Sequence, residues 1–462
     1  MTMWRPDLSG YQQAMYQAIA DEIEKGISDA VLKDGDKLPT HRALADQLGV
    51  TVGTVTRGYA EAEKRGVVNA RVGSGTFISS ADDKPAGFAI LAREQRQRID
   101  FSLNLPVPLD TDRLLQASLR EVVDEVPNLD LVGYQPEKGS LRQREWAVQW
   151  LKEQGVDTAP DNIVITCGGQ HGITLAIAAT VRPGEQLLCE GLTYPGLTAV
   201  TAQLGIKVTG LEQDEHGIIP ASLEEHCKSG TYRALYCTPV AQNPTNATMT
   251  EERQREIMAI VERYHLWIIE DALSGYYCDD KPPGFHQLNP ERCLYIHSHS
   301  KMLAGGLRVG YLVTPSRLSL QVSSAIRSHC WFTSPITVEV AQRWISGSEF
   351  ARTETIIRAE LQRRIDAARR IFDGYQFRTH DGSFHCWLSL PDPWRAPDFE
   401  ARLLEKGVAV LSSEPFAVGR FPAPQAIRIC LSSPASFDDV EQGLSIIREE
   451  LDSGLSGHLY VF

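Results

Sequence analysis

The pattern of apolar and polar positions divides the chain into a short helical part and a long part in which strands alternate with helices. In the short part, residues 11–27 carry apolar side chains at four-residue spacing, which predicts an amphipathic helix. Residues 41–48 and 52–65 predict two further helices, and residues 67–78 predict a two-stranded ribbon. Three helices followed by a ribbon form the plan of a winged helix-turn-helix domain, whose third helix can enter the major groove of DNA.

The long part, from about residue 99 to residue 462, has the pattern of an α/β domain. Residues 169–179 and 250–264 have helical length, and they lie between short apolar runs. The runs that predict strands are residues 162–166, 186–190, 234–237, 266–270, 294–298 and 309–313. This alternation predicts a largely parallel sheet, whose ligands bind beyond the carboxyl ends of the strands.

Composition narrows the class of protein without identifying it. The chain has 462 residues, 42% hydrophobic and 23% charged, so two or more domains are expected. No apolar run has the length of a membrane span, and the N-terminus has no apolar signal core, so we expect a cytoplasmic protein without membrane contact. Nine cysteines without metal-ligand spacing favour free thiols and no metal site. The net charge of −13 argues against indiscriminate nucleic-acid binding but allows a small DNA-reading surface.

The short part resembles the GntR-type DNA-binding domain. The resemblance rests on Leu-Pro-Thr-His-Arg-Ala-Leu-Ala at residues 38–45, Leu-Gly-Val-Thr at residues 48–51 and Arg-Val-Gly-Ser-Gly-Thr-Phe-Ile at residues 71–78. It implies binding to double-stranded operator DNA through hydroxyl donors, cations and the turn of the ribbon. The residues expected at that interface are Thr40, Arg42, Thr51, Thr54, Thr56, Arg57, Arg71, Ser74 and Gly75.

Some residues around the third helix support DNA binding and others weaken it. Thr40 and Thr51 directly precede the second and third helices, whose first N–H groups they can cap. Family members usually have an arginine after the position of Thr51, whereas this chain has Val52. Acidic and basic side chains are about equally numerous here, as in a three-helix cap that only packs on another domain. DNA binding needs cations on one face rather than a high total. The cations that could supply this face are Arg42, Arg57, Arg65 and Arg71.

We expect the chain to be organised in two domains. Residues 1–79 form the winged helix-turn-helix domain, and residues 80–98 form a short linker that contains Pro, Gly and Asp. Residues 99–462 form the second domain. Within it we expect a large subdomain at about residues 155–330 and a C-terminal small subdomain at residues 331–462.

The most informative motif of the second domain is Ser298-His299-Ser300-Lys301, followed seven residues later by Arg308. It resembles the Schiff-base lysine site of fold-type I aminotransferases, which use pyridoxal 5'-phosphate (PLP). The resemblance implies that Lys301 is the catalytic residue, because an amine in a partly desolvated site can lose its proton and attack an aldehyde. It also implies that Ser298, Ser300 and Arg308 surround the phosphate, with Arg308 as a bidentate donor.

Glycines and an aromatic residue that follow two predicted strands are further candidates for cofactor binding. Gly168, Gly169 and Gln170 open a helix, whose N-terminal N–H groups can bind a phosphate. Tyr194, in Thr-Tyr-Pro-Gly, can stack on a flat heteroaromatic ring. Taken alone, each feature is also typical of an ordinary turn or of core packing.

Asn243 and Asp271 are the candidates for binding the cofactor ring. Asn243, in Gln-Asn-Pro-Thr-Asn, can donate an amide N–H to a phenolate oxygen, although Asn-Pro also begins ordinary turns. Asp271 ends an apolar strand, and a carboxylate buried there can keep a pyridinium nitrogen protonated. The alternative is a carboxylate that caps the next turn.

In this order and spacing, the motifs resemble the class I/II aminotransferase fold, and the two domains together resemble the MocR subgroup of GntR regulators. The resemblance implies PLP as cofactor and a homodimer with sites at the subunit interface. Tyr134, in Gly-Tyr-Gln-Pro-Glu-Lys-Gly, is placed like the tyrosine that reaches the neighbouring subunit's phosphate. Arg428 is placed like the arginine that binds a substrate α-carboxylate, although a strand arginine can also lie at a solvated rim.

One position departs from the aminotransferase pattern. A tyrosine normally follows the pyridine-binding aspartate by three residues, but this chain has Ser274. A serine reaches the cofactor's ring oxygen only through water, unless Tyr276 or Tyr277 replaces the missing hydroxyl. We therefore expect Schiff-base chemistry to survive and full transamination to be slow.

Two functions remain open on these grounds. The first is a PLP-dependent transcriptional regulator whose effector is PLP itself or an amine or amino acid, held by Arg428 if it has a carboxylate. The second is an active aminotransferase with an appended DNA-binding head, since every other catalytic residue type is present. The departure at Ser274 favours the regulator.

Overall fold

The structure of the chain is a computed structural model that divides into two compact units. The units are Met1–Gly87 with Gly419–Pro422, and Phe88–Val418 with Ala423–Phe462. The described residues are 4, 6, 8, 14–29, 31–33, 36–65, 67–71, 75–78 and 98–457. The predicted linker therefore lies outside the described residues, apart from Arg98. Among the described helices, none has the length and apolar character needed to cross a membrane.

The first unit has the helix and strand order of a winged helix-turn-helix domain, as the sequence predicts. Its elements are α1 (Met15–Ser28), α2 (His41–Leu48), α3 (Val52–Lys64), β1 (Val68–Arg71) and β2 (Gly75–Ile78). Thr40 caps α2 by accepting a hydrogen bond from the N–H of Ala43 (3.3 Å), and Thr51 caps α3 through the N–H of Thr54 (3.1 Å). The two strands are antiparallel, with Arg71 opposite Gly75.

Close packing of α1 on α3 forms the core of this unit. A Cβ atom at Gly58 of α3 would lie 2.9 Å from the Ile19 side chain, so the glycine permits the close approach of the two helices. The Tyr59 hydroxyl donates to the carbonyl of Pro39 (2.8 Å) and fixes the turn before α2. The core side chains include Ile19, Ile23, Leu38, Leu44, Val55, Tyr59 and Val68.

The second unit contains a large and a small sheet with helices around them. Its helices are α4 (Asp112–Glu125), α5 (Leu141–Glu153), α6 (Gly169–Thr180), α7 (Pro195–Gln203), α8 (Pro220–Ser229), α9 (Glu251–Arg263), α10 (Phe285–Leu288), α11 (Ser319–His329), α12 (Pro335–Ser346), α13 (Ser348–Ile371), α14 (Ala396–Glu405) and α15 (Phe437–Gly457). Its strands are β3 (Ile99–Asp100), β4 (Ile163–Thr166), β5 (Gln186–Glu190), β6 (Lys207–Leu211), β7 (Gln213–Asp214), β8 (Gly217–Ile218), β9 (Tyr232–Cys237), β10 (Trp267–Asp271), β11 (Cys293–Ser298), β12 (Gly310–Val313), β13 (Phe377–Arg378), β14 (Cys386–Ser389), β15 (Val408–Ala409), β16 (Leu411–Ser412) and β17 (Ala426–Ile429).

The large sheet has seven strands in the order β4-β12-β11-β10-β9-β5-β6. Only β12 runs antiparallel to its neighbours, so the predicted, largely parallel sheet is confirmed. The six predicted apolar runs all become strands of this sheet. Strand β6 escaped prediction because its sequence, Lys-Val-Thr-Gly-Leu, has no continuous apolar run and only its last residue is buried.

The small sheet has the order β13-β14-β17-β16 and packs with α14 and α15. Strand β3, at the start of the unit, pairs in parallel with β15, so the small subdomain also includes residues from near residue 100. Side chains of α12 and the first half of α13, such as Val338 and Ile357, share the apolar core of α4 and α5. Core packing therefore divides the two subdomains within α13, later than the residue 331 expected from the sequence.

Candidate functional site

A cavity lies beyond the carboxyl ends of β9, β10 and β11, where a parallel sheet is expected to bind its ligand. Its volume is about 680 Å³, including its open mouth. It is lined by Asn104, Gln170, Ile173, Tyr194, Thr238, Asn243, Asp271, Leu273, Ser274, Lys301 and Phe384. Five residues predicted from separate motifs therefore meet in one cavity: Gln170, Tyr194, Asn243, Asp271 and Lys301.

Lys301 presents its amine in this cavity. Its Nζ atom donates a hydrogen bond to the carbonyl oxygen of Asn104. Burial lowers the pKa of Lys301 to about 8, and the positive charges of Arg428 and Arg308 act in the same direction. An amine with this pKa is partly unprotonated near neutral pH, which is the form that attacks a carbonyl carbon.

Asp271 is buried at the end of β10 and is held by two donors. The Tyr236 hydroxyl donates to Oδ2 (2.5 Å), and the N–H of Leu273 donates to Oδ1 (3.1 Å). Burial raises the pKa of Asp271, while the hydrogen bond from Tyr236 opposes that rise. Sequence reasoning missed Tyr236, because an aromatic residue inside an apolar strand indicates core packing and not a hydrogen bond across the sheet.

Arg428 is fully buried, which excludes the solvated-rim interpretation of this strand arginine. Its Nη1 donates to Oδ1 of Asn243 (2.8 Å), its Nη2 donates to the carbonyl of Ser102, and its guanidinium lies 4.9 Å from the centre of the Phe416 ring. Its Nε has no hydrogen-bond partner among the described residues. Since Oδ1 of Asn243 accepts from Arg428, the Asn243 amide N–H groups remain the donors that this residue can offer the cavity.

A second group of polar atoms lies at the N-terminus of α6, which has no side-chain cap. The Ser298 and Ser300 hydroxyl oxygens lie 2.9 Å apart, and Arg308 donates to Ser300 (3.3 Å) and to the carbonyl of Cys167 (3.2 Å). A Cβ atom at Gly168 would lie 2.6 Å from the Arg308 guanidinium, so only glycine leaves room for this arrangement. N–H groups, hydroxyls and a guanidinium together form a phosphate-binding donor set.

Glycines also determine the shape of the cavity beside Tyr194. A Cβ atom at Gly196 would lie 2.2 Å from the Tyr194 ring, and one at Gly169 would lie 2.5 Å from Leu273. The Gln170 amide donates to the carbonyl of Gly196 (2.8 Å), while its buried Oε1 has no partner among the described residues. Burial raises the pKa of Tyr194 to about 12, so its ring stays a neutral phenol. The sequence did not single out Gly196 as the residue that leaves room for the Tyr194 ring.

The chain has Ser274 where aminotransferases have a tyrosine, and the nearby Tyr276 and Tyr277 were considered as replacements for its phenol hydroxyl. Ser274 lines the cavity, but the Tyr276 ring stacks on Trp150 at 6.3 Å in the apolar core. The Tyr277 ring packs against Phe384 at 5.7 Å and lies 5.2 Å from the Arg358 guanidinium. Neither Tyr276 nor Tyr277 lines the cavity, and both rings are held by aromatic packing, so the structure does not support the suggestion that one of them compensates.

Tyr134 lies apart from the cavity within a single chain. Its side chain is 83% exposed, and its ring contacts Trp331 at 5.9 Å and Phe332 at 6.1 Å. A tyrosine in this position is available to a second subunit.

The predicted DNA-reading residues of α2 and α3 form an exposed polar face. The Thr51 and Thr54 hydroxyl oxygens lie 2.9 Å apart, and the Thr56 hydroxyl donates to the carbonyl of Val52 (3.0 Å). Arg42 and Arg57 are exposed, and the Arg57 guanidinium lies 5.6 Å from the centre of the Tyr16 ring.

Arg65 does not belong to that face, contrary to the expectation from the sequence. It pairs with Asp21, with Glu24 (3.6 Å) and with Glu61 (3.1 Å), so its charge is neutralised inside the unit. The sequence did not indicate Lys37 as a cation near the ribbon. Its side chain packs against Gly75, where an added Cβ atom would lie 2.8 Å from it. Of the other predicted ribbon residues, Arg71 is described only by its backbone, and Ser74 lies outside the described residues.

Comparisons with known proteins agree with both halves of this description. Residues 15–78 match the family of bacterial regulatory proteins, gntR family, and residues 99–446 match aminotransferase class I and II. The HTH-type transcriptional regulator YdeF of Bacillus subtilis (strain 168) is 30% identical over 449 residues, with 97% of each chain covered. The HTH-type pyridoxine biosynthesis transcriptional regulator PdxR of Corynebacterium glutamicum is 26% identical over 393 residues, covering 81% of this chain and 83% of PdxR. Kynurenine aminotransferase of Pyrococcus horikoshii, solved with PMP, has a TM-score of 0.71 at 25% identity, covering 78% of this chain and 92% of that chain.

The fold and these matches define a protein that joins a DNA-binding head to an aminotransferase-like body. The chain belongs to the GntR family of transcriptional regulators that carry a class I and II aminotransferase domain, the MocR subgroup. The predicted fold class is confirmed, and the regulator is favoured over an aminotransferase with an appended head. An aminotransferase fold of this class implies that the body binds PLP.

Proposed function

We propose that this chain is a cytoplasmic transcriptional regulator whose affinity for operator DNA is controlled by PLP and by an amine or amino-acid effector. The observation that carries the proposal is the meeting of Lys301, a lysine of lowered pKa, and Asp271, a buried carboxylate, in one cavity. The buried cation Arg428 donates to Asn243, which lines the same cavity (2.8 Å). In a protein that joins such a site to a DNA-binding domain, ligand binding at the site can change the affinity for DNA.

The residues present fit PLP. When bound, PLP supplies an aldehyde that condenses with primary amines and an electron-withdrawing pyridine ring. Lys301 would hold the aldehyde carbon, Asp271 the ring nitrogen, and the Asn243 amide the phenolic oxygen. The Tyr194 ring would cover one face of the pyridine. The phosphate would be held by Gly168, Gly169, Gln170, Ser298, Ser300 and Arg308.

Two unpaired buried atoms support this fit. A polar atom without a partner in a protein interior costs about 1–3 kcal/mol, so such atoms mark places where a ligand or water supplies the missing bond. Oε1 of Gln170 and Oδ1 of Asn104 are such atoms, and both residues line the cavity.

Arg428 is the proposed anchor for an effector carboxylate. It is a buried cation whose hydrogen bonds within the described chain go to neutral oxygen atoms of Asn243 and Ser102. An unpaired charge in a low-dielectric site is costly, and a carboxylate would relieve that cost. This favours an amino acid over a simple amine as effector. The relative PdxR is named for pyridoxine biosynthesis, which favours PLP as a further ligand to test.

A homodimer is proposed from the distribution of exposed apolar side chains. They concentrate in two regions of the second unit. One region is α4 with residues 126–141, and the other is α11, residue 331 and α12. The helices α4 and α12 pack on each other. They include Leu119, Val123, Val126, Val132, Tyr134, Leu141, Leu320, Trp331 and Ile336. A concentration of exposed apolar side chains favours an interaction site. A second copy seated there would bring Tyr134 towards the phosphate group of its neighbour.

The DNA contacts proposed for the head comprise hydroxyls, cations and the ribbon. Its third helix would enter the major groove, and two heads of a dimer would read two half-sites. The residues proposed to contact DNA are Thr40, Arg42, Thr51, Thr54, Thr56, Arg57, Arg71, Ser74 and Gly75.

Covalent trapping tests the cofactor part of the proposal. Purified protein is incubated with PLP, reduced with borohydride, digested and analysed by mass spectrometry. We expect the pyridoxyl group on the peptide that contains Lys301, and we expect it to be absent from Lys301→Ala and retained by Lys207→Ala, a change at an exposed lysine of β6. A pyridoxyl group spread over several lysines, or found equally in Lys301→Ala, would contradict the proposal.

A further inference from the structure

Two cysteine sulfurs lie close together beside the phosphate-binding donor set. Of the nine cysteines, seven are buried, Cys167 is half-buried and Cys330 is exposed. These last two are the neighbours: the Cys167 and Cys330 Sγ atoms lie 3.9 Å apart, although the residues are 163 positions apart in sequence. The thiol pair that solvent can reach is thus also a pair placed for mutual reaction.

His171 completes the cluster and decides which chemistry it supports. The backbone N–H of Cys167 donates to Nδ1 of His171 (3.0 Å), and His171 Nε2 lies 4.0 Å from Cys330 Sγ. Burial lowers the pKa of His171 to about 4, and nearby His329 adds to this effect, so the ring is neutral at pH 7. Since Nδ1 accepts a hydrogen bond, the one ring proton lies on Nε2.

That tautomer argues against a metal ion between Cys167, His171 and Cys330. The three ligand atoms lie within 4.8 Å of one another, which is compatible with a metal. However, a metal-bound histidine needs a lone pair on the ligating nitrogen and almost always donates from the other nitrogen. Here the other nitrogen accepts instead, and Nε2 directs its proton towards the Cys330 sulfur.

We propose that Cys167 and Cys330 form a reversible intramolecular disulfide that weakens phosphate binding at the cofactor site. Each thiol loses one proton and one electron as the S–S bond forms. The two electrons and two protons pass to an oxidant of the class of small-molecule disulfides, which is reduced to two thiols. Partial burial and the adjacent Cys167 thiol raise the pKa of Cys330 to about 12, so little of its thiolate is present near neutral pH and exchange through this sulfur is slow.

The link to the cofactor site runs through Cys167 itself. Its carbonyl oxygen accepts a hydrogen bond from Arg308 (3.2 Å), and it directly precedes Gly168, the residue before α6. Cys330 directly follows α11. Because an S–S bond is about 2 Å long, the two sulfurs must approach by about 2 Å, which draws the corner before α6 towards the end of α11. Arg308 then loses its position beside the phosphate; this consequence rests on the proposed function.

The test oxidises the full-length protein with diamide, whose N=N bond takes up the two electrons and two protons. Peptide mapping without reductant should give one linked peptide pair that contains Cys167 and Cys330, with the intact mass reduced by two hydrogens. Cys330→Ser and Cys330→Ala should both lose this product, whereas Cys227→Ser, at a buried cysteine of α8, should retain it. Dithiothreitol should reverse the reaction.

The affinity for PLP is then measured by absorbance on the same samples. We expect the oxidised wild type to bind PLP about tenfold more weakly, the effect of losing one well-placed hydrogen bond. Reduced protein and both Cys330 variants should not respond to diamide. A linked pair with unchanged PLP affinity would overturn the link to the cofactor site.

Two other outcomes overturn the disulfide itself. One is diamide treatment that leaves both thiols free or pairs them with other cysteines. The other is purified protein with equimolar zinc that protects Cys167 and Cys330, which would make the cluster a metal site. Peptide mapping does not depend on PLP. If neither form binds PLP, the proposed function fails while the linked peptide still decides the disulfide.

Discussion

The DNA-reading face and the cofactor cavity hold their polar groups in opposite ways. At α3, the Thr51 and Thr54 hydroxyls bond to each other, and the Thr56 hydroxyl bonds to the carbonyl of Val52 and lies 3.2 Å from Nδ1 of His41. At the cofactor site, Gln170 of the cavity is partly buried and Arg428, which donates to the cavity residue Asn243, is fully buried. Each has an atom without a partner among the described residues. An exposed hydroxyl exchanges water for DNA at little cost, whereas an unpaired buried atom costs about 1–3 kcal/mol. The described hydroxyls of the DNA-reading face therefore have partners without DNA, whereas Arg428 and Gln170 of the cofactor site each keep an atom without a partner among the described residues.

The largest effect on the cavity side of this comparison is expected for Arg428→Met. The variant keeps the volume of the side chain but loses the buried cation. We expect binding of L-alanine by the PLP-loaded protein to weaken about 30-fold, which corresponds to about 2 kcal/mol for a charged hydrogen bond. Ethylamine, which has no carboxylate, should bind the variant and the wild type alike. Titration of the cofactor absorbance with each compound measures both. Equal losses for the two ligands would contradict the anchoring role of Arg428.

On the DNA side, Arg42→Ala and Arg65→Ala should have contrasting effects. Arg42 is exposed on α2, so its loss should weaken operator binding about tenfold and reduce the dependence on salt. Arg65 is paired with Asp21, Glu24 and Glu61, so its loss should lower the melting temperature and leave operator affinity unchanged. Fluorescence anisotropy at several salt concentrations, together with thermal unfolding, separates the two. Equal effects on operator affinity would remove Arg42 from the DNA-reading face.

Gly168→Ala should cause a loss of similar size in the affinity for PLP. The new methyl group would lie 2.6 Å from the Arg308 guanidinium and displace it, so PLP affinity should fall about tenfold. Gly184→Ala is a matched control. Gly184 has nearly the same backbone φ (+86° against +82°), but a Cβ there meets no atom within 4 Å. Both substitutions place a side chain at a positive φ, and only Gly168→Ala should lose affinity for PLP in an absorbance titration. Equal PLP affinities would show that Arg308 does not bind the phosphate.

The smallest effect concerns the pH dependence of stability and the buried carboxyl of Glu190. Burial raises the pKa of Glu190 to about 8. Between about pH 5 and pH 8 the folded protein keeps this proton and the unfolded chain does not, so stability falls as pH rises. Glu190→Gln should flatten this slope by about 1 kcal/mol per pH unit.

Urea unfolding of the PLP-free protein across this pH range measures the slope. The Gln side chain can still accept from the N–H of Thr238, which now donates to Glu190 (2.7 Å). Glu252→Gln, at an exposed position of α9, should leave the slope as in the wild type. An unchanged slope in Glu190→Gln would mean that Glu190 is ionised in the folded protein.

The features that the sequence predicted correctly are those that depend on residues close together in the chain. Lys301, Asp271 and the Gly168-Gly169 corner lie in short motifs at strand ends, where local pattern alone indicates their place. Helix caps such as Thr51 are also local, and the structure confirms them. These features require only neighbouring residues, so one sequence carries their signal.

The missed features depend on contacts between distant segments. The hydroxyl of Tyr236 reaches Asp271 from the adjacent strand, and the carbonyl of Gly196 accepts a hydrogen bond from Gln170 (2.8 Å), 26 residues away in sequence. Arg65 was considered for the DNA-reading face. Its acidic partners on α1 are more than forty residues away in sequence, so the sequence does not indicate that they neutralise it. Tyr276, one of the two tyrosines considered as a replacement for the missing phenol, stacks on Trp150 and does not line the cavity. Tertiary packing, which leaves no periodic trace in the sequence, decides each of these cases.

Operator binding of the wild type and of Lys301→Ala, measured before and after PLP is stripped and restored, tests the central claim most directly. DNA from upstream of the protein's own gene and of neighbouring genes is used at a fixed salt concentration. We predict specific binding by both proteins, with an affinity that changes with PLP in the wild type and stays constant in Lys301→Ala. Specific binding that is indifferent to PLP in the wild type, or a response that persists in Lys301→Ala, would contradict the claim that the cavity controls the head.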